Sequence, residues 1–181
     1  EMLAKTAALV AKVNEAAKDD AARWTYEGAI PFADPAAALG GDVPYVHRFR
    51  LGNGLRLLVL VDRSAPVVAI VTYVSAGYFD ESDDVVGIAH VLEHMYFKGT
   101  PSRGVGEIAK QTKAVGGYLN AGTIYDHTSY YTVLPASGFV RGLDVQADAY
   151  ARSIIDPEEL GRELEVIIQE AKRKADNPSA D

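Results

Sequence analysis

The stretch His90-Val91-Leu92-Glu93-His94 holds the residue types best suited to chemistry. It has the form H-x-x-E-H and lies in a segment whose pattern predicts a helix. Residues four apart share one helical face, so the two imidazoles can hold a single metal ion. The glutamate beside the second histidine can then take a proton from water at that metal. Zinc sites that hydrolyse bonds take three protein ligands and leave a fourth position for water. His90 and His94 supply two nitrogens, and the third ligand has to come from elsewhere in the chain. There is no cysteine, so that ligand is a His, Asp or Glu.

A helix over roughly Val85 to Phe97 is predicted to carry the motif. The acidic run Asp80-Glu81-Ser82-Asp83-Asp84 precedes it, where the helix dipole favours negative charge, and Lys98-Gly99 supplies the stop. Tyr45 to Leu51 and Leu55 to Val61 read as strands around Gly52-Asn53-Gly54, a strong hairpin turn. Val67 to Ser75 is almost continuously apolar and is expected to be a central, covered strand. Glu107 to Val115 reads as a helix closed by Gly116-Gly117. Strands Tyr118 to Thr123 and Thr128 to Leu134 follow, then a helix from Phe139 to Ile154. After Asp156-Pro157 a long charged helix runs to about Lys174. This order predicts an α+β fold: one mostly antiparallel or mixed sheet with helices packed on one face.

The first residues read as an Ala-rich leader helix with Leu3, Val10 and Val13 on a stripe, and Thr25 to Pro44 as a linker. Residues 1–44 are thus expected to be leader and linker, and 45–181 the metal-bearing domain. Hydrophobic residues at 48% and charged residues at 24% suit a globular protein. A net charge of −7 argues against nucleic acid as the main partner, and no segment is apolar for long enough to span a bilayer. Lys5, Lys12 and Lys18 interrupt any signal-peptide core. The compartment stays open, cytoplasmic and exported both being compatible with this composition.

The motif has wide surroundings. Gly87 to Met95, then Phe97-Lys98-Gly99-Thr100, Asn53-Gly54-Leu55, Ala65-Pro66-Val67-Val68, Asn120-Ala121, Asp126-His127-Thr128 and Tyr130-Tyr131 form one pattern. From about Tyr45 to Asp176 the sequence resembles the pitrilysin/insulinase family of zinc metallopeptidases, whose metal motif inverts the commoner H-E-x-x-H. The resemblance implies Glu170, 76 residues after His94, as the third ligand of one Zn²⁺ per chain. Glu163 stands two turns before Glu170 on the same helical face and is expected to orient a histidine ligand. Glu93 is the expected general base.

The family presents an extended peptide to a sheet edge beside the metal, and Asn120, Ala121 and Gly122 match that edge by position. Gly122 departs from the bulkier, commonly aromatic residue of the family, which implies a wider pocket at the cut. Phe79 stands where relatives often carry a basic residue. His127, between two predicted strands, is expected to hydrogen-bond structurally, and His47 has no supporting context.

The implied function is a zinc-dependent endopeptidase acting on peptides or unfolded polypeptides. Family enzymes close a chamber with a second homologous half or a partner subunit. Residues 45–181 correspond to the N-terminal, metal-bearing half and are expected to be incomplete at their C-terminus. The isolated chain is accordingly expected to be weak or inactive and to expose an apolar surface where a companion belongs. Two other readings stay open: a non-catalytic peptidase-like subunit or assembly partner, and a structural domain with a fortuitous histidine pair. Zinc content distinguishes the last, and chelator-sensitive cleavage separates the first two.

Overall fold

The computed structural model describes residues 2–32 and 45–176, and the chain divides into two compact units, Glu1–Ala65 and Pro66–Asp181. The first unit holds helix α1 (Met2–Glu15) and strands β1 (Trp24–Pro31), β2 (Tyr45–Leu51) and β3 (Arg56–Leu60) in an antiparallel sheet of order β1-β2-β3. The expected hairpin joins β2 to β3. Gly54 takes a left-handed φ of 96°, and the Asn53 side chain accepts the Leu55 N–H at 3.0 Å.

Strand β1 corrects the linker reading. Thr25 to Pro31 lies within a strand that pairs with all of β2, with a register shift between Tyr26 and Gly28. Trp24, Tyr26 and Ile30 recur at the strand period of two, but among glycine, alanine and proline that alternation is hard to see. Residues 33–44 of the expected linker lie outside the described residues. Helix α1 is tied to β1 by Asn14, whose amide donates to Trp24 O and accepts the Trp24 N–H, each at 2.7 Å. His47 is buried, with its Nδ1 3.0 Å from the Tyr26 hydroxyl.

The second unit contains strands β4 (Val67–Val74), β5 (Tyr118–Thr123) and β6 (Thr128–Pro135) in an antiparallel sheet of order β4-β6-β5. Its helices are α2 (Ile88–Met95), α3 (Glu107–Ala114), α4 (Phe139–Arg152) and α5 (Pro157–Asp176). The α+β class and the antiparallel pairing match the expectation, while the described strands divide between two three-stranded sheets. Among them the central position belongs to β6, whose Thr128, Tyr130, Thr132 and Leu134 are buried. Strand β4 is at the edge and alternates in burial, against the expectation of a covered central strand. Its apolar run supplies both faces: alternate residues point toward the helices, and Val67, Val71 and Tyr73 lie exposed on the other side with Tyr118 of β5. The core joins Tyr96, Ile108, Tyr130, Val145 and Ala149, so the end of α2 and helices α3 and α4 pack against β6.

The loop after α2 is anchored by charge. Buried Arg103 pairs with Asp148 and Asp144 of α4 and donates from Nε to Gln111 of α3 at 3.1 Å. Asp148 also accepts from the Thr100 hydroxyl at 2.7 Å and from Arg152. The Thr100 hydroxyl, then the two arginines, hold its carboxyl below the usual range despite burial. A depressed folded value contributes stability above the unfolded carboxylate value and loses it as pH falls through the folded one. Arg103→Leu removes one of the two arginines on this carboxylate, and we expect it to lower the urea midpoint of unfolding at neutral pH. The loss should shrink on acidification as Asp148 protonates.

Candidate metal centre

Helix α2 starts at a defined point. Gly87 has a left-handed φ of 94° that L side chains rarely adopt, so the chain turns there into the helix. The Glu81 carboxylate accepts the Gly87 N–H at 2.6 Å and the Ala89 N–H at 2.8 Å, satisfying donors that the first turn leaves without partners. The acidic run before the helix thus acts through Glu81. Helix α5 crosses α2 with Leu160, Glu163, Ile167 and Glu170 on its less exposed face, a helical spacing of three to four.

Three side chains from these two helices converge. His90 Nε2 and His94 Nε2 are 3.1 Å apart, and Glu170 Oε2 is 3.6 Å from each. Among the described residues this is the one group of His and carboxylates disposed to hold a metal ion. A tetrahedral ion with ligand distances of about 2.0–2.1 Å separates its ligand atoms by about 3.3 Å, so the triangle fits Zn²⁺. The donors have suitable chemistry as well. His94 Nδ1 donates to Glu163 Oε2 at 2.8 Å, which puts the proton on Nδ1 and the lone pair on Nε2, facing His90 and Glu170. The His94 lone pair and the Glu170 carboxylate thus face the same spot beside His90 Nε2, a donor set suited to a cation.

Glu163 is itself held. Lys98 Nζ is 2.5 Å from Glu163 Oε1, with Glu159 Oε2 at 3.9 Å. Burial acts to raise the Glu163 carboxyl, but the hydrogen bonds from Lys98 and His94 outweigh it and keep the group below its ordinary value. An ionised carboxylate with one oxygen on lysine and the other on His94 fixes the imidazole plane.

Glu93 is buried on α2, and its Oε2 accepts the Thr123 hydroxyl at 2.7 Å. It is outside the converging triangle, one residue before His94. Tyr78, Val86, Ile167 and Ile168 join His90 and Glu170 in lining a cavity of about 310 Å³. Burial and the negative charges of Glu93, Glu81 and Glu170 raise the Tyr78 phenol, which stays protonated and able to donate. Burial, aided by Glu93, pushes Tyr130 up to about 12.

The structure places Asn120, Ala121 and Gly122 in β5, at the sheet edge rather than in a turn. The Ala121 N–H is engaged by the Asn120 side-chain oxygen at 2.9 Å, so this backbone donor faces away from β6, toward the free edge. His127 stands apart from the triangle, with Nδ1 2.8 Å from Asp126 Oδ1 and its ring 5.0 Å from that of Tyr73. Phe79 stacks on Tyr125 at 5.1 Å. Sequence reasoning missed two members of the site. Lys98 stands out in the sequence only as a helix stop, and since it lies three residues past the end of α2, only the fold brings it to Glu163. Thr123 was read only as a strand end, although two residues past Ala121 is the same strand face.

The model of the insulinase family, peptidase family M16, matches residues 57–180. The chain belongs to that family. It is 35% identical over 133 residues to the "Uncharacterized zinc protease YmxG" of Bacillus subtilis, covering 74% of this chain and 32% of the relative. It is 38% identical over 120 residues to the "Probable mitochondrial-processing peptidase subunit beta" of Arabidopsis thaliana, 66% of this chain and 23% of that one. The crystal structure of a protease from Helicobacter pylori superposes with a TM-score of 0.71 at 28% identity, covering 75% of this chain and 32% of that one. The chain therefore spans 32% or less of the length of each of these three proteins. Among the described residues no helix is long and apolar enough to cross a membrane.

Proposed function

We propose that this chain carries the zinc site of an endopeptidase that cleaves peptides or unfolded polypeptides. One observation carries the reading: His90 Nε2, His94 Nε2 and Glu170 Oε2 converge at the spacing of a tetrahedral Zn²⁺ site from helices far apart in sequence. Membership of the insulinase family and the zinc-protease names of relatives support it. Zn²⁺ bound there supplies a Lewis acid for the scissile carbonyl and lowers the pKa of water.

The chain's own residues do the rest. His90, His94 and Glu170 hold the ion, and Glu163, locked by Lys98, keeps His94 in the tautomer that presents Nε2. Glu93 accepts the proton of the attacking water and returns it to the leaving amine. The edge of β5 at Asn120, Ala121 and Gly122 receives the peptide as an added strand, and the Ala121 N–H becomes a donor to it once the Asn120 side chain turns away. Gly122, with no side chain, leaves the adjoining pocket open. A second homologous half or a partner subunit completes the chamber. The plant relative's designation as a subunit supports this, and so does the exposed apolar face of β4 and β5.

The test is cleavage of an unfolded, fluorogenic peptide in the presence of the completing half. Activity should stop on chelation and return with Zn²⁺, and the isolated chain should show little or none. A completed, zinc-loaded protein that cleaves nothing favours the non-catalytic subunit instead. Lys98→Met and Glu163→Gln release His94 and are expected to weaken zinc binding about 10–100-fold, read by competition with a chromogenic chelator.

A further inference from the structure

The carboxylate of Glu93 is held from the sheet. Thr123, at the end of β5, reaches Glu93 Oε2 with its hydroxyl at 2.7 Å, across 30 positions of sequence. A second oxygen competes for that proton: Thr128 Oγ1 is 3.3 Å away and donates its own proton to Ala76 O at 2.9 Å. The carboxylate is both the closer and the stronger acceptor, so the Thr123 proton goes to Glu93. Both hydroxyl protons are then used, one on Glu93 and one on Ala76 O, so the two threonine oxygens lie side by side with no proton between them and Thr123 is placed by its own strand. Gly77 lets the backbone just beyond Thr123 come close, since a Cβ there would meet Ile124 O at 2.3 Å, and the Tyr78 N–H donates to that oxygen at 3.0 Å.

We propose that Thr123 is a positioning residue for the general base, registering Glu93 to the same strand whose free edge takes the peptide. This rests on the peptidase reading above. Ala121 and Thr123 are alternate residues of β5, about 6.8 Å apart along it, so a peptide added at Ala121 and the base held by Thr123 share one frame. Any shift of α2 relative to β5 would otherwise move the base away from the bond it serves. An aliphatic residue of the same shape fills the space but leaves the carboxylate without its donor.

The experiment uses zinc-loaded protein with its completing half, the variants Thr123→Val and Thr123→Ser, and two readouts. Thr123→Val is expected to lower kcat on a fluorogenic peptide about 10–100-fold with KM unchanged, and Thr123→Ser to restore it to within about threefold. Zinc stoichiometry should be unchanged in both variants. In the crystal structure of zinc-loaded Thr123→Val, the Glu93 carboxylate should leave its place by about 1 Å or occupy two rotamers. Thr123→Ala takes the place of the valine variant, with the same readouts, should valine not be tolerated. An unmoved Glu93 carboxylate in the valine or alanine variant, or a serine variant no better than valine, overturns the proposal. If the wild-type protein cleaves no peptide, the peptidase reading fails, while the Glu93 position in the variant crystal still decides the role of Thr123.

Discussion

Replacing Glu93 with glutamine is expected to abolish most turnover while the zinc stays bound. Glutamine keeps the length and shape of the side chain, and its oxygen can still accept the Thr123 hydroxyl at the place where Glu93 Oε2 lies. Only the basic oxygen is lost. A positioned general base contributes about 10²–10⁴-fold, or roughly 2.7–5.4 kcal/mol of barrier, so kcat should fall within that range. KM should change little, since the carboxylate acts on the water and not on the peptide's side chains. Zinc content should match wild type, because the ligand atoms that converge belong to His90, His94 and Glu170. Near-normal cleavage by a zinc-loaded Glu93→Gln protein would remove Glu93 from the role of base. Loss of zinc in that variant would instead make Glu93 part of the metal's support.

The second large effect concerns the metal itself. His90→Ala and Glu170→Gln each take away one corner of a triangle whose sides are 3.1, 3.6 and 3.6 Å. Structural zinc sites with four protein ligands bind with apparent energies of about 10–16 kcal/mol, or roughly 2.5–4 kcal/mol per ligand. Each variant should therefore bind zinc about 10²–10³-fold more weakly, enough to lose it on dialysis against a moderate chelator. Metal analysis should find one zinc per wild-type chain and far less in either variant. A full complement of zinc in Glu170→Gln would leave the two histidines without this carboxylate and reopen the search for the third ligand. Folding should be little affected, because these side chains are partly exposed and lie outside the core of Tyr96, Ile108, Tyr130, Val145 and Ala149.

The three variants at Glu93, His90 and Glu170 and the pair at Lys98 and Glu163 probe different layers of one arrangement. Removing a ligand strips the metal, releasing Glu163 loosens it, and removing the base leaves it in place but idle. The expected order of zinc affinity is therefore wild type and Glu93→Gln together, then Lys98→Met and Glu163→Gln, then His90→Ala and Glu170→Gln. A different order would show that the supporting contacts matter more, or less, than their distances suggest.

Much of this was legible in the residues alone. The histidine pair and its glutamate are four or fewer positions apart, so the helical period places them without any knowledge of the fold. Gly52-Asn53-Gly54 predicts its hairpin for the same reason, and the acidic run announces the helix after it, although the helix begins at Ile88 rather than Val85 because Gly87 takes a left-handed φ. Glu170 was reached by resemblance, and its convergence with the histidines depends on how α5 lies against α2. The apolar run of β4 told of a strand but not of its place, because edge and centre differ only in what pairs alongside. Strand β1 was passed over because its partner β2 lies across residues 33–44, and its alternation is blurred by small residues. Lys98 on Glu163, Glu163 on His94 across 69 positions, and Thr123 on Glu93 were decided by the tertiary structure. Local periodicity is written into neighbouring side chains, whereas a contact between distant ones depends on packing angles set by the whole core.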